Sequence, residues 1–181
     1  MNRGSIHDSV VLVPWSESWA EAFRAEKERI TEALRYSGHE ATIYHVGSTS
    51  IEGMVSKPII DILVCPDKNT PVEALLQPLM RIGYSNLGEG GRPGRYFLSY
   101  GDTPNESFYV HLCHEDNQVA QDQMLFQKLE RENSVIRKMY LQTKLLLADE
   151  FPNDREMYRV VKGLYIEGVL SAYRQANTDA E

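Results

Sequence analysis

The stretch YHVGSTSIEGMVSKPIIDILV, residues 44–64, decides how this chain is read. The run ATIYHV at 41–46 is rich in β-branched and aromatic residues and predicts a strand ending at His45-Val46. Gly47-Ser48-Thr49-Ser50 follows at once and reads as a turn. Gly47 permits close backbone approach, and three consecutive hydroxyls with their N–H groups can surround an anion. If a helical turn begins here, its first amides favour phosphate further. PIIDILVC at 58–65 then predicts a short strand, apolar on both faces except for Asp61 and so buried from both sides. A lone carboxylate among Ile59, Ile60, Ile62, Leu63 and Val64 needs a partner, because unpaired burial costs several kcal/mol or neutralises it. A backbone cap, a nearby Lys or Arg, and a metal ion all satisfy that need, and the residues alone leave these open.

Upstream, Trp19, Phe23, Ile30 and Leu34 recur at helical spacing and predict a helix from Ser16, its cap, to Tyr36, with Ser37-Gly38 as the stop. Downstream, a helix is expected over Pro71–Ile82 with Pro71 in its first turn. A Gly-rich loop, GEGGRPG at 88–94, comes after Tyr84, and its mobility would suit closure over a ligand. Two further strands, RYFLSY (95–100) and ESFYVHLCH (106–114), flank the turn signal GDTPN. From Gln118 the pattern is helical, interrupted at Asn133, with a second segment running to Asp149. The last helix follows Pro152, with Asn153 as cap and Glu156 completing a capping box. Tyr158, Val161, Tyr165 and Val169 form a stripe on it that core packing explains. Residues 1–10 are polar and read as loose. The order predicts a single α+β domain over 11–176: a sheet-containing core over about 11–116 and a helical part over about 117–176.

Length and composition agree. The 181 residues, 42% apolar and 25% charged, suffice for one domain with a real core and exclude a disordered or collagen-like chain. Apolar runs fall far short of the roughly 20 residues needed to span a bilayer, and the N-terminus MNRGSIHDSV lacks a signal-peptide h-region. Cys65 and Cys113 are too far apart for a CxxC pair and too few for a disulfide framework. A reduced, cytoplasmic protein with no membrane partner is expected. A net charge of −7 without a basic block argues against a long nucleic-acid partner, while leaving room for a small anion in a locally basic pocket.

The 44–64 stretch resembles the signature of the GrpB-like family, a Gly-Ser-Thr-Ser/Ala-Val/Ile-x-Gly turn followed by Lys-Pro-Ile-Ile-Asp. Gly47, Ser48, Thr49, Ser50, Gly53, Lys57, Pro58 and Asp61 fall on that pattern. Val13, Trp19 and Phe23 fit it upstream, and Asp154-Arg155-Glu156 with Tyr158 and Lys162 resembles the family's C-terminal Asp-Asp-Arg-Glu-x-Tyr-x-x-x-Lys. The resemblance covers roughly residues 11–172. It implies a small mixed sheet of the nucleotidyltransferase type, as in the DNA polymerase β-like superfamily, flanked by helices. It further implies a nucleoside triphosphate held at the Gly-Ser turn, carboxylates holding two Mg²⁺ ions, and metal-dependent nucleotidyl transfer.

On that resemblance the catalytic candidates are Asp61, Ser48 and Lys57, and the ligand-binding candidates are Gly47, Ser48, Thr49, Ser50, Lys57, Arg95 and Lys162. Departures bear on the metal. Leu63 stands where the superfamily carries a second carboxylate, and FYVHLCH offers His111 and Cys113 where the family has His-Leu-His. Asp61, His111 and Cys113 are therefore the metal candidates, a set that suits Zn²⁺ better than Mg²⁺, with His45 or His114 as further donors. Lys144 and Arg159 read individually as solvated charges, and Arg92 lies beside the Gly-rich loop. Three functions stay open: a nucleotidyltransferase acting on a nucleotide or phosphorylated small molecule, a non-catalytic binding module of the same fold, and metal-assisted hydrolysis. Oligomeric state is not encoded in any recognisable motif.

Overall fold

The structure, a computed structural model, describes residues 9–101 and 107–178. Residues 1–8 of the segment expected to be loose and most of the GDTPN turn lie outside the described residues, while Val10 is buried and donates its N–H to the Pro152 carbonyl at 2.8 Å.

Helix α1 (Ser18–Tyr36) starts where Ser16 Oγ accepts the Ser18 N–H, and ends at Ser37-Gly38, where Gly38 takes φ 77°. The His39 N–H folds back onto the Leu34 carbonyl at 2.9 Å, which closes the last turn. After α1 come β1 (Ala41–Val46), β2 (Ile59–Pro66), a 3₁₀ turn (Val72–Leu75) running into α2 (Leu76–Arg81), β3 (Ser85–Asn86), β4 (Tyr96–Tyr100) and β5 (Ser107–Leu112). The predicted Pro71–Ile82 helix is thus tighter in its first half than in its second. β3 was not foreseen, because a two-residue strand carries no periodicity.

The strands form one mixed sheet in the order β1-β2-β5-β4-β3, with β2 and β5 parallel and the other neighbours antiparallel. Alternation along β2 and β5 sends the two sets of side chains to opposite faces. Ile60, Ile62 and Val64 join Val110, Leu112 and Leu98 in a core covered by Trp19, Ile30 and Leu34 of α1 and by Leu75 and Leu79. Burying one aliphatic side chain contributes about 1.5–3 kcal/mol, so this layer supplies much of the drive to fold. Asp61, Leu63 and Cys65 point the other way, where Leu63, Cys65, Cys113 and Val46 pack against Ala120.

On that second face α3 (Gln118–Glu132) packs through Ala120, and α4 (Ser134–Glu150) and α5 (Arg155–Thr178) pack beside it on the segment after β1. Asn117 caps α3, and Asn133 both ends α3 and caps α4, accepting the Val135 and Ile136 N–H groups at 3.0 and 3.1 Å. The break expected at Asn133 is therefore a cap. At α5 the cap is Asp154, not Asn153: Asp154 Oδ1 accepts the Met157 N–H at 2.9 Å. Ile51 and Met54 pack with Phe126, Leu129, Tyr140 and Leu170, pinning the segment after the Gly-Ser turn to all three helices. Among the described residues no helix is long and apolar enough to cross a membrane.

Candidate functional site

The turn after β1 is built against Asp61. Gly47 has φ 70° and ψ −176°, and a β-carbon placed on it would lie 2.7 Å from Asp61 Oδ2. Both the left-handed backbone and the close approach require glycine here. Ser48–Ser50 forms a single 3₁₀ turn, too short for a macrodipole, so the expectation of a phosphate-favouring helix start is not met. The Ser50 and Ile51 N–H groups close that turn on the Gly47 and Ser48 carbonyls. Ser50 Oγ donates to the Gly47 carbonyl at 2.6 Å and accepts from Gln127 Nε2, which also donates to the His45 carbonyl at 2.7 Å. Thr49 is buried, with its hydroxyl 3.0 Å from His45 Nε2. Thr49 and Ser50, expected to bind ligand, therefore brace the turn. Gly47 and Ser48 remain at the site, where the Ser48 hydroxyl meets that of buried Tyr140 on α4.

Asp61 finds its partner on the parallel neighbour. His111 Nε2 lies 3.5 Å from Asp61 Oδ1, close enough to orient the carboxylate and too long for a strong hydrogen bond. His111 Nδ1 is 3.1 Å from Arg95 Nη1. A guanidinium has no acceptor, so Nδ1 must accept, and the ring proton sits on Nε2, facing Asp61. The Arg95 head is buried and donates to His111 and to the Glu89 carbonyl, the latter at 2.7 Å, while its Nε is buried without a hydrogen-bond partner. Arg95, expected to touch the ligand, here holds the His111 ring. The Gly-rich loop it springs from is held as well: Glu89 Oε1 accepts the Gly94 N–H, Asn117 Nδ2 donates to the Pro93 carbonyl, and Arg92 pairs with Glu167 of α5 at 3.2 Å.

Cations gather over this face. Lys57 precedes β2 with its ammonium 5.3 Å from the centre of the Tyr158 ring. Burial pushes it down to about 7, helped by Lys162, Arg155 and Arg159 on α5 and opposed by Asp61. Lys144 on α4 is buried, donates to the Val55 carbonyl and to Ser56 Oγ, and is likewise pushed down to about 7 by burial and by Lys162. Buried Glu130 on α3 is pushed up to about 7, with Lys144 and Lys162 opposing the shift, and its Oε1 has no hydrogen-bond partner. Lys144 sat among the residues that read as solvated charges, and Tyr140 and Glu130 gave no signal at all. Only the packing of α3, α4 and α5 onto the turn brings them here.

The donors present do not fit the metals that the resemblance implies. Asp61 is the one carboxylate its strand offers to this face, since Leu63 is buried among apolar side chains. His111 has one ring nitrogen accepting from Arg95 and the other carrying a proton. The Cys113 thiol is buried in the apolar cluster under α3, where desolvation pushes it up to about 11. His45 lies on the opposite face of the sheet, its ring stacked 4.7 Å from that of Phe23, and burial pushes it down to about 4. Among the described residues no three or more His, Cys, Asp or Glu side chains come together as a metal site. The Asp61, His111 and Cys113 set is therefore not assembled, and neither is the wider one with His45. A separate groove of about 600 Å³ between α3 and the end of α5 holds an Arg174–Asp122 ion pair and touches none of these residues.

Comparison with known proteins agrees with the geometry. Residues 9–172 match the family described as GrpB protein. The UPF0157 protein PA4798 of Pseudomonas aeruginosa is 34% identical over 152 residues, 83% of this chain and 62% of that protein. The UPF0157 protein YqkA of Bacillus subtilis is 32% identical over 82% of this chain and 43% of its own length. The chain thus spans less than two thirds of either relative. The crystal structure of conserved protein GrpB from Enterococcus faecalis superposes with a TM-score of 0.74 at 29% identity, covering 90% of this chain and 99% of that one. Cid1 in complex with its short product ApU superposes with a TM-score of 0.51 at 13% identity, over 75% of this chain and 42% of that one. That likeness is one of fold alone, and it agrees with the mixed sheet of the nucleotidyltransferase type. With the turn seated on Asp61 and a match running nearly end to end, this chain belongs to the GrpB family.

Proposed function

We propose that this protein binds a nucleotide or another phosphorylated small molecule at the face formed by Gly47, Ser48, Asp61 and Lys57. The observation that carries this reading is convergence: the turn touches Asp61, Asp61 faces His111, and Lys57 lies within electrostatic reach of both Asp61 and Lys162. Ionised phosphate oxygens are acceptors, so they match a hydroxyl donor and ammonium groups. A small ligand also suits a chain of net charge −7 better than a long nucleic acid does. Leu63 favours binding without transfer, because the second carboxylate of a two-metal centre has no counterpart on β2.

Calorimetry and thermal-shift measurements with the four nucleoside triphosphates and with sugar phosphates test the proposal. Binding is expected to one of them, weakened about tenfold or more in Lys57→Gln, the order of a lost charge-assisted contact. A wild-type protein that responds to no phosphorylated compound would refute it. Pyrophosphate released from a triphosphate would restore nucleotidyl transfer, with Ser48 orienting the phosphates.

A further inference from the structure

We propose that this site takes the phosphate groups of its ligand without a divalent cation, meeting their charge with Lys57, Arg159 and Lys162 instead. The inference rests on the phosphate-binding reading and adds how the charge is met.

Two observations carry it. The first is a deficit of metal donors. Mg²⁺ needs hard oxygen ligands, and Asp61 is the one this face supplies from β2. His111 is closed to a metal on both nitrogens: Arg95 donates to Nδ1, and Nε2 bears the remaining proton. Any metal seated on Asp61 would also have ammonium groups for neighbours, which repel it.

The second observation is an excess of cations. Lys57, Lys144, Arg155, Arg159 and Lys162 share one electrostatic neighbourhood, in which the carboxylates are Asp61 and buried Glu130. Arg155, Arg159 and Lys162 recur at helical spacing of four and three on α5, so they crowd one side of it and disfavour the helix. Lys57, Arg159 and Lys162 make no ion pair among the described residues. Arg155 has another engagement, donating to the Tyr109 hydroxyl at 2.6 Å, and Lys144 is tied to the Val55–Ser56 segment. The cations left over come from two separate elements, the segment before β2 and the first half of α5. Their repulsion opposes folding until an anion enters. Lys57 is packed over the Tyr158 ring at 5.3 Å and feels Asp61, Arg159 and Lys162 as neighbouring charges.

Titration calorimetry with ATP and with inorganic tripolyphosphate, each in EDTA and in excess Mg²⁺, tests the inference on the full chain. Binding in EDTA is expected to be at least as tight as in Mg²⁺, because a metal bound to the phosphates masks the charge the lysines read. Lys162→Gln, at a half-buried helix position, is expected to weaken it about tenfold and to flatten its dependence on salt, with helicity checked by circular dichroism. Tight tripolyphosphate binding would place recognition in the phosphates, and ATP binding alone would add the nucleoside to the same metal-free contact. Binding that appears only with Mg²⁺ would overturn the inference and leave the phosphate-binding reading standing. An undiminished affinity in folded Lys162→Gln would overturn it too. No binding of either compound in either buffer would overturn the inference, while the phosphate-binding reading falls only if the other triphosphates and the sugar phosphates fail as well.

Discussion

The backbone of Gly47 and the carboxylate of Asp61 are in contact: a β-carbon on residue 47 would sit 2.7 Å from Asp61 Oδ2. Gly53, six residues on, shares a left-handed φ of 76° but has open space where its β-carbon would go. Gly47 differs from it twice, in the close approach and in a ψ of −176°, a backbone region essentially reserved for glycine. Gly53→Ala bears the backbone cost alone, about 1 kcal/mol. Gly47→Ala adds the clash with Asp61 and the cost of its ψ of −176°, and chemical denaturation is expected to show it about 1–3 kcal/mol less stable than Gly53→Ala. Equal losses would mean that the turn yields and Asp61 is not held by it.

Arg95 sets the tautomer of His111. Long-range nitrogen–proton correlation spectra of the imidazole are expected to show the proton on Nε2 in the wild-type protein. In Arg95→Met the acceptor at Nδ1 loses its donor, and the ring is expected to populate the other tautomer or exchange between the two. A merely structural Arg95 would leave that signature unchanged, as would a protein in which the ring proton already resides on Nδ1.

Anion binding is expected to take up a proton. Lys57 is held at about 7 by burial and by Lys162, Arg155 and Arg159 of α5, against the pull of Asp61 on β2. Lys144 on α4 is a further cation facing this group, and the Tyr158 ring packs against its ammonium. A bound phosphate raises the ammonium's proton affinity, so binding is at full strength below the free value of about 7 and weakens as pH climbs from there through the raised, bound value. Between pH 7.5 and 9, above the last ionisation of ATP, affinity is expected to fall by up to about tenfold per unit. Calorimetry in two buffers of different ionisation enthalpy reads the uptake directly, and Lys57→Gln is expected to reduce it. A pH-independent affinity would show that Lys57 is charged in the free protein as well.

How much of this could be read in the residues differs by element. The sheet strands and long helices were legible because alternation and helical spacing are local, and so was the break at Asn133, whose short side chain suits a cap. The cap of α5 was misplaced by one residue, since Asn153 and Asp154 are both competent and only the helix start chooses between them. Asp61 was legible as an anomaly, a charge in an apolar run, although its partner was not. His111 becomes that partner through parallel pairing of β2 with β5, in which Leu63 stands opposite His111 and Asp61 opposite Tyr109. Cys113 drew attention through its place in a motif, yet lies in a dry cluster under α3. The cations of α4 and α5 resemble any solvated lysine or arginine until the helices are docked.

Gly90 sits on an exposed loop, and a β-carbon there would lie 2.5 Å from Arg95 Nη2, whose neighbour Nη1 faces His111 and, through it, Asp61. A survey of natural variants ranked by solvent exposure would class residue 90 among the harmless positions. A side chain there meets the guanidinium that donates to His111, so the position is linked by contact to Asp61, 29 residues away by sequence number. Inheritance at this locus should therefore look constrained at a place where the surface gives no reason for it.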